Sequence, residues 1–150
     1  MGRVVAIHIA RTKGAPLELL ESARLFAARG IEGDHRCLEL TPETPRDGRD
    51  VTLIETEALD ALKRDYDLEL DGPSTRRNIL TEGIALNHLV GREFRIGEVR
   101  LLGVRLCEPC AHLESLTKEG VRAALVHRGG LRATILDGGV VRKGDAIRTG

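Results

Sequence analysis

Two thiols stand three residues apart in the stretch L-C-E-P-C-A-H-L, residues 106–113, and His112 follows the second. Thiolates and imidazoles ligate zinc and other borderline or soft metals, and a C-x-x-C pair can also pass electrons or carry sulfur. A closed zinc site needs four ligands, and the chain has no second C-x-x-C. His112 and His127 are separated by 14 residues, which matches no finger spacing. A thioredoxin-like dithiol follows the first strand of a βαβ unit, whereas Cys107 and Cys110 lie late in the chain. Pro109 suits the first turn of a helix beginning near Cys110, directly after a strand that ends at Leu106. At such a junction, free amide donors and the helix dipole favour thiolate over thiol. Two packed structural thiols beside a turn are the plain alternative. Cys37, alone in R-C-L-E-L, reads as a small buried apolar residue.

Three further stretches carry groups able to hold a ligand. In G-I-E-G-D-H-R, residues 30–36, two glycines suit a tight turn that presents Asp34, His35 and Arg36. It reads equally as an ordinary turn or as a polar trio orienting a ligand. In S-T-R-R-N-I-L-T-E-G, residues 74–83, alternation sends Arg77, Ile79 and Thr81 to one face of a strand, and Arg76, Asn78 and Leu80 to the other. A guanidinium fork followed by an amide makes an anion cradle, and a charged sheet edge is the competing reading. In H-R-G-G-L-R, residues 127–132, Gly129-Gly130 allows a sharp turn before a strand with Arg132 at its mouth.

These groups need a scaffold, and the apolar pattern supplies one. Strand-length runs recur at Val4–Ile9, Val51–Ile54, Asn78–Thr81, Phe94–Ile96, Val99–Leu106, Leu131–Leu136 and Asp145–Arg148, many of them separated by Gly-containing turns. A helix is expected over Thr56–Tyr66, with Ala58, Leu59, Leu62 and Tyr66 on one face and Thr56 as its cap. A second is expected over Gly120–His127, and short helical turns within Ile84–Val90. Leu17–Arg29 fits helix or strand, and Thr41–Asp50, with its two prolines, reads as an exposed loop. Strands outnumber helices without alternating with them, so a β-barrel or strongly bent mixed, β-rich sheet with a few short helices is expected.

Size and composition agree with one such unit over residues 1–150. A chain of 150 residues can bury about two-thirds of its unfolded surface and needs no staples. Its content is 41% apolar and 31% charged, and no apolar run nears the roughly 20 residues of a membrane span. Equal totals of 23 basic and 23 acidic residues, with only Phe26, Tyr66 and Phe94 as aromatics, argue against nucleic-acid binding through phosphate neutralisation or base stacking. The first strand-like run lacks a signal-peptide pattern, and a cytoplasmic location without membrane attachment is expected.

Taken in order, G-I-E-G-D, V-T-L-I-E-T-E-A-L-D-A-L, R-R-N-I-L-T-E-G-I-A-L, G-R-E-F-R-I-G-E-V-R-L, C-E-P-C-A-H-L-E, G-V-R-A and G-G-V-V-R-K-G-D resemble the MOSC domain family, the molybdenum cofactor sulfurase C-terminal domain. The resemblance spans residues 30–148 and implies a β-barrel-like fold with few helices. It also implies the molybdenum cofactor (molybdopterin), with Cys110 as the thiolate that ligates molybdenum or carries sulfur and Cys107 as the fallback. Gly33, Asp34, Arg36, Arg76, Arg77, Asn78, Thr81 and Arg132 would then hold the pterin or its phosphate. The implied activity is reduction of N-hydroxylated small molecules, with electrons from a partner protein, or sulfur transfer in cofactor maturation. A noncatalytic module binding a small anion or a pterin is the alternative on the same fold.

Overall fold

A computed structural model describes residues 2–37, 50–69, 75–107 and 129–149. Eleven strands are present among them: β1 (Gly2–Ile9), β2 (Glu18–Leu20), β3 (Ser22–Phe26), β4 (Gly30–Ile31), β5 (Val51–Glu55), β6 (Ile79–Glu82), β7 (Glu93–Ile96), β8 (Val99–Leu106), β9 (Leu131–Asp137), β10 (Gly139–Arg142) and β11 (Ala146–Thr149). One α-helix, α1 (Thr56–Tyr66), and one 3-10 turn, Leu86–Leu89, complete the described elements.

Seven strands close into a barrel in the order β11-β7-β8-β9-β5-β6-β1, with β1 returning to β11 through Gly2↔Ile147 and Arg3↔Ala146. Neighbours in the ring are antiparallel except β5 and β6, which run parallel and are joined by the crossover containing α1. Farther along β1 its free side is taken by β2, paired through Ile7↔Leu20 and Ile9↔Glu18. A second, three-stranded sheet in the order β10-β3-β4 turns Ala23, Leu25, Ile31 and Val141 onto the same core.

Period-two burial explains why these segments are strands. Ile7 and Ile9 face the interior with His8 opposite, and Leu131, Ala133 and Ile135 face it from β9. Each fully buried Leu or Ile contributes about 1.5–3 kcal/mol relative to exposure, so the inward rows fix strand register. The ambiguous segment Leu17–Arg29 resolves into β2 and β3, because Ala23 and Leu25 alternate inward and pair with β10.

Helix α1 covers β5 and β6 with Ala58, Ala61 and Leu62. Tyr66, expected on that face, is instead 57% exposed, and Ala61 takes the inner position. The expected Thr56 cap is also corrected: the N-cap is Glu55 without a side-chain cap, and Thr56 is the first helical residue. At the other end Asp67 adopts a left-handed conformation, φ 53°, and its N–H reaches the Lys63 carbonyl at 3.1 Å while Leu68 N–H reaches Leu62 at 3.2 Å. The expected Gly120–His127 helix and most of the Thr41–Asp50 loop lie outside the described residues. No described helix is long and apolar enough to cross a membrane.

Candidate functional site

The barrel gathers several of the chemistry-bearing stretches around the end of β1, the start of β6 and the junction of β8 with β9. Arg77 is the connecting side chain. Its Nε donates to the Gly129 carbonyl at 2.7 Å, Nη2 to the Cys107 carbonyl at 3.2 Å and Nη1 to the Thr75 carbonyl at 3.4 Å. The Cys107 N–H donates in turn to the Gly130 carbonyl at 2.7 Å. Cys107 and Gly129, which flank residues 108–128, are therefore both tied to the residue that leads into β6. Cys107 is 3% exposed and its thiol is free of any disulfide, whereas Cys110 and His112 lie outside the described residues.

Arg76 points elsewhere. In a left-handed conformation, φ 63°, it directs Nη1 to the Ala15 carbonyl in the loop after β1. A guanidinium that makes such a reach can hold the loop through a conformation otherwise unfavourable for a residue with Cβ. The two consecutive arginines thus clamp different loops onto the barrel.

Asn78 sits between them and the strands. Its Oδ1 accepts from the Thr52 N–H and the Thr52 hydroxyl, both at 3.1 Å, and its Nδ2 donates to the His8 carbonyl at 3.1 Å. Its main chain also bonds both strands, N–H to the Thr52 carbonyl at 3.0 Å and carbonyl from the His8 N–H at 2.6 Å. Three of the four hydrogen-bonding capacities of the amide are spent on the scaffold. Thr81, three residues along β6, is fully buried and donates to the Ile54 carbonyl at 3.4 Å, away from the Arg77 cluster.

The Gly30–Cys37 turn docks on the end of β1. Asp34 is buried and accepts the Ala10 N–H at 2.9 Å and the Arg36 N–H at 3.2 Å. The His35 N–H binds the Ala10 carbonyl at 2.8 Å. Gly33 has φ +87°, and a Cβ there would lie 2.6 Å from Arg11 Nη1. Arg11 forks onto Glu18, Nε to Oε2 at 2.9 Å and Nη2 to Oε1 at 3.2 Å, and that hydrogen-bonded cation lowers the Glu18 pKa. The Arg36 side chain is exposed beside this turn.

Residues not singled out from the sequence complete the site. On the outer face of the barrel a cross-strand row runs from Arg105 on β8 to Arg132 on β9, Thr52 on β5, Asn78 and His8 on β1. Thr52, Asn78 and His8 are all buried although polar. His8 Nδ1 lies 3.3 Å from the Arg77 carbonyl, a contact that places a proton on Nδ1. The signal for His8 was its place as the one polar residue in V-V-A-I-H-I-A, and for Thr52 its place in V-T-L-I. Asp50 similarly accepts from the Thr134 hydroxyl and the Ile135 N–H, both at 2.8 Å, fixing the start of β5 against β9.

Chemically, the described groups offer a soft thiol at a clamped junction and cationic forks within the same part of the barrel. That donor set fits a sulfur-coordinated metal carrying a phosphate tail. No group of three or more His, Cys, Asp or Glu side chains able to hold a metal occurs among the described residues.

The YuaD protein from Bacillus subtilis is similar to this chain with a TM-score of 0.81 and 15% identity, over 98% of this chain and 94% of that one. YiiM from Geobacillus stearothermophilus is similar with a TM-score of 0.76 and 11% identity, over 100% and 75% of the two chains. YiiM from Escherichia coli is similar with a TM-score of 0.70 and 17% identity, over 99% and 69%. At these identities the likeness is one of fold. No curated protein matches the chain. The family model for the MOSC domain matches residues 41–148, most of the length and including the R-R-N and C-x-x-C stretches. By that match, and with the β-rich barrel it leads one to expect, the chain belongs to the MOSC domain family.

Proposed function

We propose that this MOSC protein binds the molybdenum cofactor and uses a cysteine of the C-x-x-C segment, Cys110 with Cys107 as its fallback, as a thiolate ligand or sulfur carrier. The observation that supports this reading is the Arg77 clamp, which fixes the carbonyls of Cys107 and Gly129, the residues flanking segment 108–128. A thiolate serving a metal needs a rigid support, because ligand geometry is set by what surrounds the first ligands.

When bound, the cofactor supplies the redox or sulfur chemistry of molybdenum; the chain supplies orientation. Arg77 and Asn78 hold the strand ends, Asp34 holds the turn that presents Arg36, and Arg132 offers a guanidinium on the adjoining face. Gly33 keeps that turn tight, Arg76 holds the loop after β1, and Thr81 secures β6 to β5. On this reading the protein acts in reduction of N-hydroxylated small molecules, drawing electrons from a partner protein, or in sulfuration of the cofactor.

Protein made in a host that synthesises the cofactor, analysed by elemental mass spectrometry, should contain near-stoichiometric molybdenum, and Cys110→Ala should lose most of it. Full retention of molybdenum in Cys110→Ala and in Cys107→Ala would remove the thiolate assignment. Absence of molybdenum from the unaltered protein would leave the noncatalytic binding module as the reading. Turnover of an N-hydroxylated base with an artificial electron donor would select the reductase branch over sulfur transfer.

A further inference from the structure

Arg105 and Arg132 are direct partners across the β8–β9 ladder, so their side chains leave the same face of the barrel. Like charges directly opposite in a sheet repel, and a guanidinium cannot shed its proton to relieve this. Some neighbouring cations in this fold are given acids, and another directly opposed pair, Arg95 on β7 and Arg148 on β11, is exposed on both sides. Arg100, on β8 with Arg105, donates from Nε to Asp137 at 2.7 Å and from Nη1 to Glu93 at 3.2 Å, and Arg3 pairs with Glu82. Among the described residues neither Arg105 nor Arg132 has a carboxylate partner. Arg132 is also half-buried, which removes part of the solvation that would otherwise screen the pair.

On its other side Arg132 faces Thr52, whose hydroxyl is already committed to Asn78. Among the described residues no acid enters the row from β5, and β8 ends at Leu106, just before the buried Cys107. We propose that Arg105 and Arg132 form a binding site for a tetrahedral oxyanion of the phosphate or sulfate class, held between two guanidinium forks. Two adjacent forks match the oxygens of a dianion, and charge-assisted bonds of this kind are about twice as strong as neutral ones. The anion would turn the repulsion between the pair into mutual attraction to a shared partner. The site shares Arg132 with the cofactor reading, but rests on the paired guanidinium groups and needs no molybdenum.

The test uses the full chain free of molybdenum, titrated calorimetrically with inorganic phosphate, sulfate and a simple phosphate monoester against chloride at constant ionic strength. Phosphate should bind at one site and raise the melting temperature, and Arg105→Gln and Arg132→Gln should each weaken binding at least tenfold. Arg24→Gln, an exposed arginine on β3 that lies opposite Val140, should bind as the unaltered protein does. Without phosphate, Arg105→Gln should melt no lower than the unaltered protein, because it relieves the repulsion; a merely structural arginine would lower the melting temperature with and without the anion alike. Tighter binding of the monoester than of inorganic phosphate would identify the terminal phosphate of a larger ligand, and the reverse order a free oxyanion; either supports the site. No binding beyond that of chloride, or equal binding by Arg132→Gln, would overturn it. Because the readout is anion binding to metal-free protein, its failure is distinct from a failure to find molybdenum.

Discussion

Arg77 Nη2 donates to the main-chain carbonyl of Cys107 at 3.2 Å, across 30 residues of sequence, while Nε of the same guanidinium holds Gly129. One planar fork therefore closes the root of the segment that carries the second cysteine. Hydrogen bonds from a charged donor are worth about 1.5–3 kcal/mol each when buried partners would otherwise go unpaired. Arg77→Ala should lower unfolding stability by about 2–4 kcal/mol in urea titrations. Arg77→Lys should recover little of it, because a single ammonium cannot span two carbonyls in fixed geometry. In native-state hydrogen exchange the Cys107 amide, bonded to Gly130, should open at least about tenfold faster in both variants, with the β7–β11 amides unchanged. Equal protection of Cys107 in Arg77→Ala would show that the clamp is not what fixes the junction.

Asn78 joins three strands with one amide, so its replacement strands several partners at once. Asn78→Ala leaves the Thr52 N–H and the His8 carbonyl without their side-chain partner in a buried place. The expected loss is about 2–4 kcal/mol. Asn78→Asp preserves the acceptor for Thr52 but sets a second oxygen against the His8 carbonyl, and should be at least as destabilising at neutral pH. Unfolding titrations of the two variants check this, and a loss under about 1 kcal/mol in both would place the network outside the stability of the barrel.

The barrel was legible in the sequence because its strands alternate. Ile7 and Ile9 on β1, and Leu131, Ala133 and Ile135 on β9, announce an inward face two residues at a time. The C-x-x-C and the R-R-N stretch were legible as clusters of unusual chemistry. What could not be read is where each polar group spends its bonds. The Asn78 amide meets Thr52 across 26 residues and His8 across 70, pairings set by the barrel closure and not by any local pattern. Alternation placed Arg76 and Arg77 on opposite faces, but not that one turns to Ala15 and the other to Cys107. His8 was hidden because an imidazole within an apolar strand carries no spacing signal, and the Arg105–Arg132 pairing because the register shifts between Gly103 and Arg105.

Two glycines separate a rigid obstacle from a yielding one. At Gly130, φ +110°, a Cβ would fall 2.0 Å from the Leu53 carbonyl oxygen, which belongs to a buried strand and cannot move aside. Gly130→Ala should cost more than about 3 kcal/mol, and the junction beside Cys107 should be displaced with it. At Gly33 the nearest atom is the tip of Arg11, a flexible chain end, so Gly33→Ala should cost mainly the left-handed backbone, about 1–2 kcal/mol. Melting temperatures of the two variants should therefore fall in that order, and the reverse order would contradict the packing at the β5–β9 contact.

Asp34 and Arg36 stand two residues apart and separate support from ligand contact. Asp34 is 7% exposed and accepts two main-chain N–H groups, from Ala10 and Arg36, which secures the turn to the end of β1. Asp34→Ala should destabilise by about 2–3 kcal/mol and raise amide exchange through residues 33–37, since a buried N–H at Ala10 loses its acceptor. Asp34→Asn keeps one acceptor oxygen and should cost less. Arg36 presents an exposed side chain, so Arg36→Ala should change unfolding stability by no more than about 0.5 kcal/mol. If the turn lines the cofactor cleft, Arg36→Ala should nevertheless lower the molybdenum content of protein purified from a cofactor-producing host. Unchanged content with unchanged stability would confine the role of this turn to the scaffold, through Asp34.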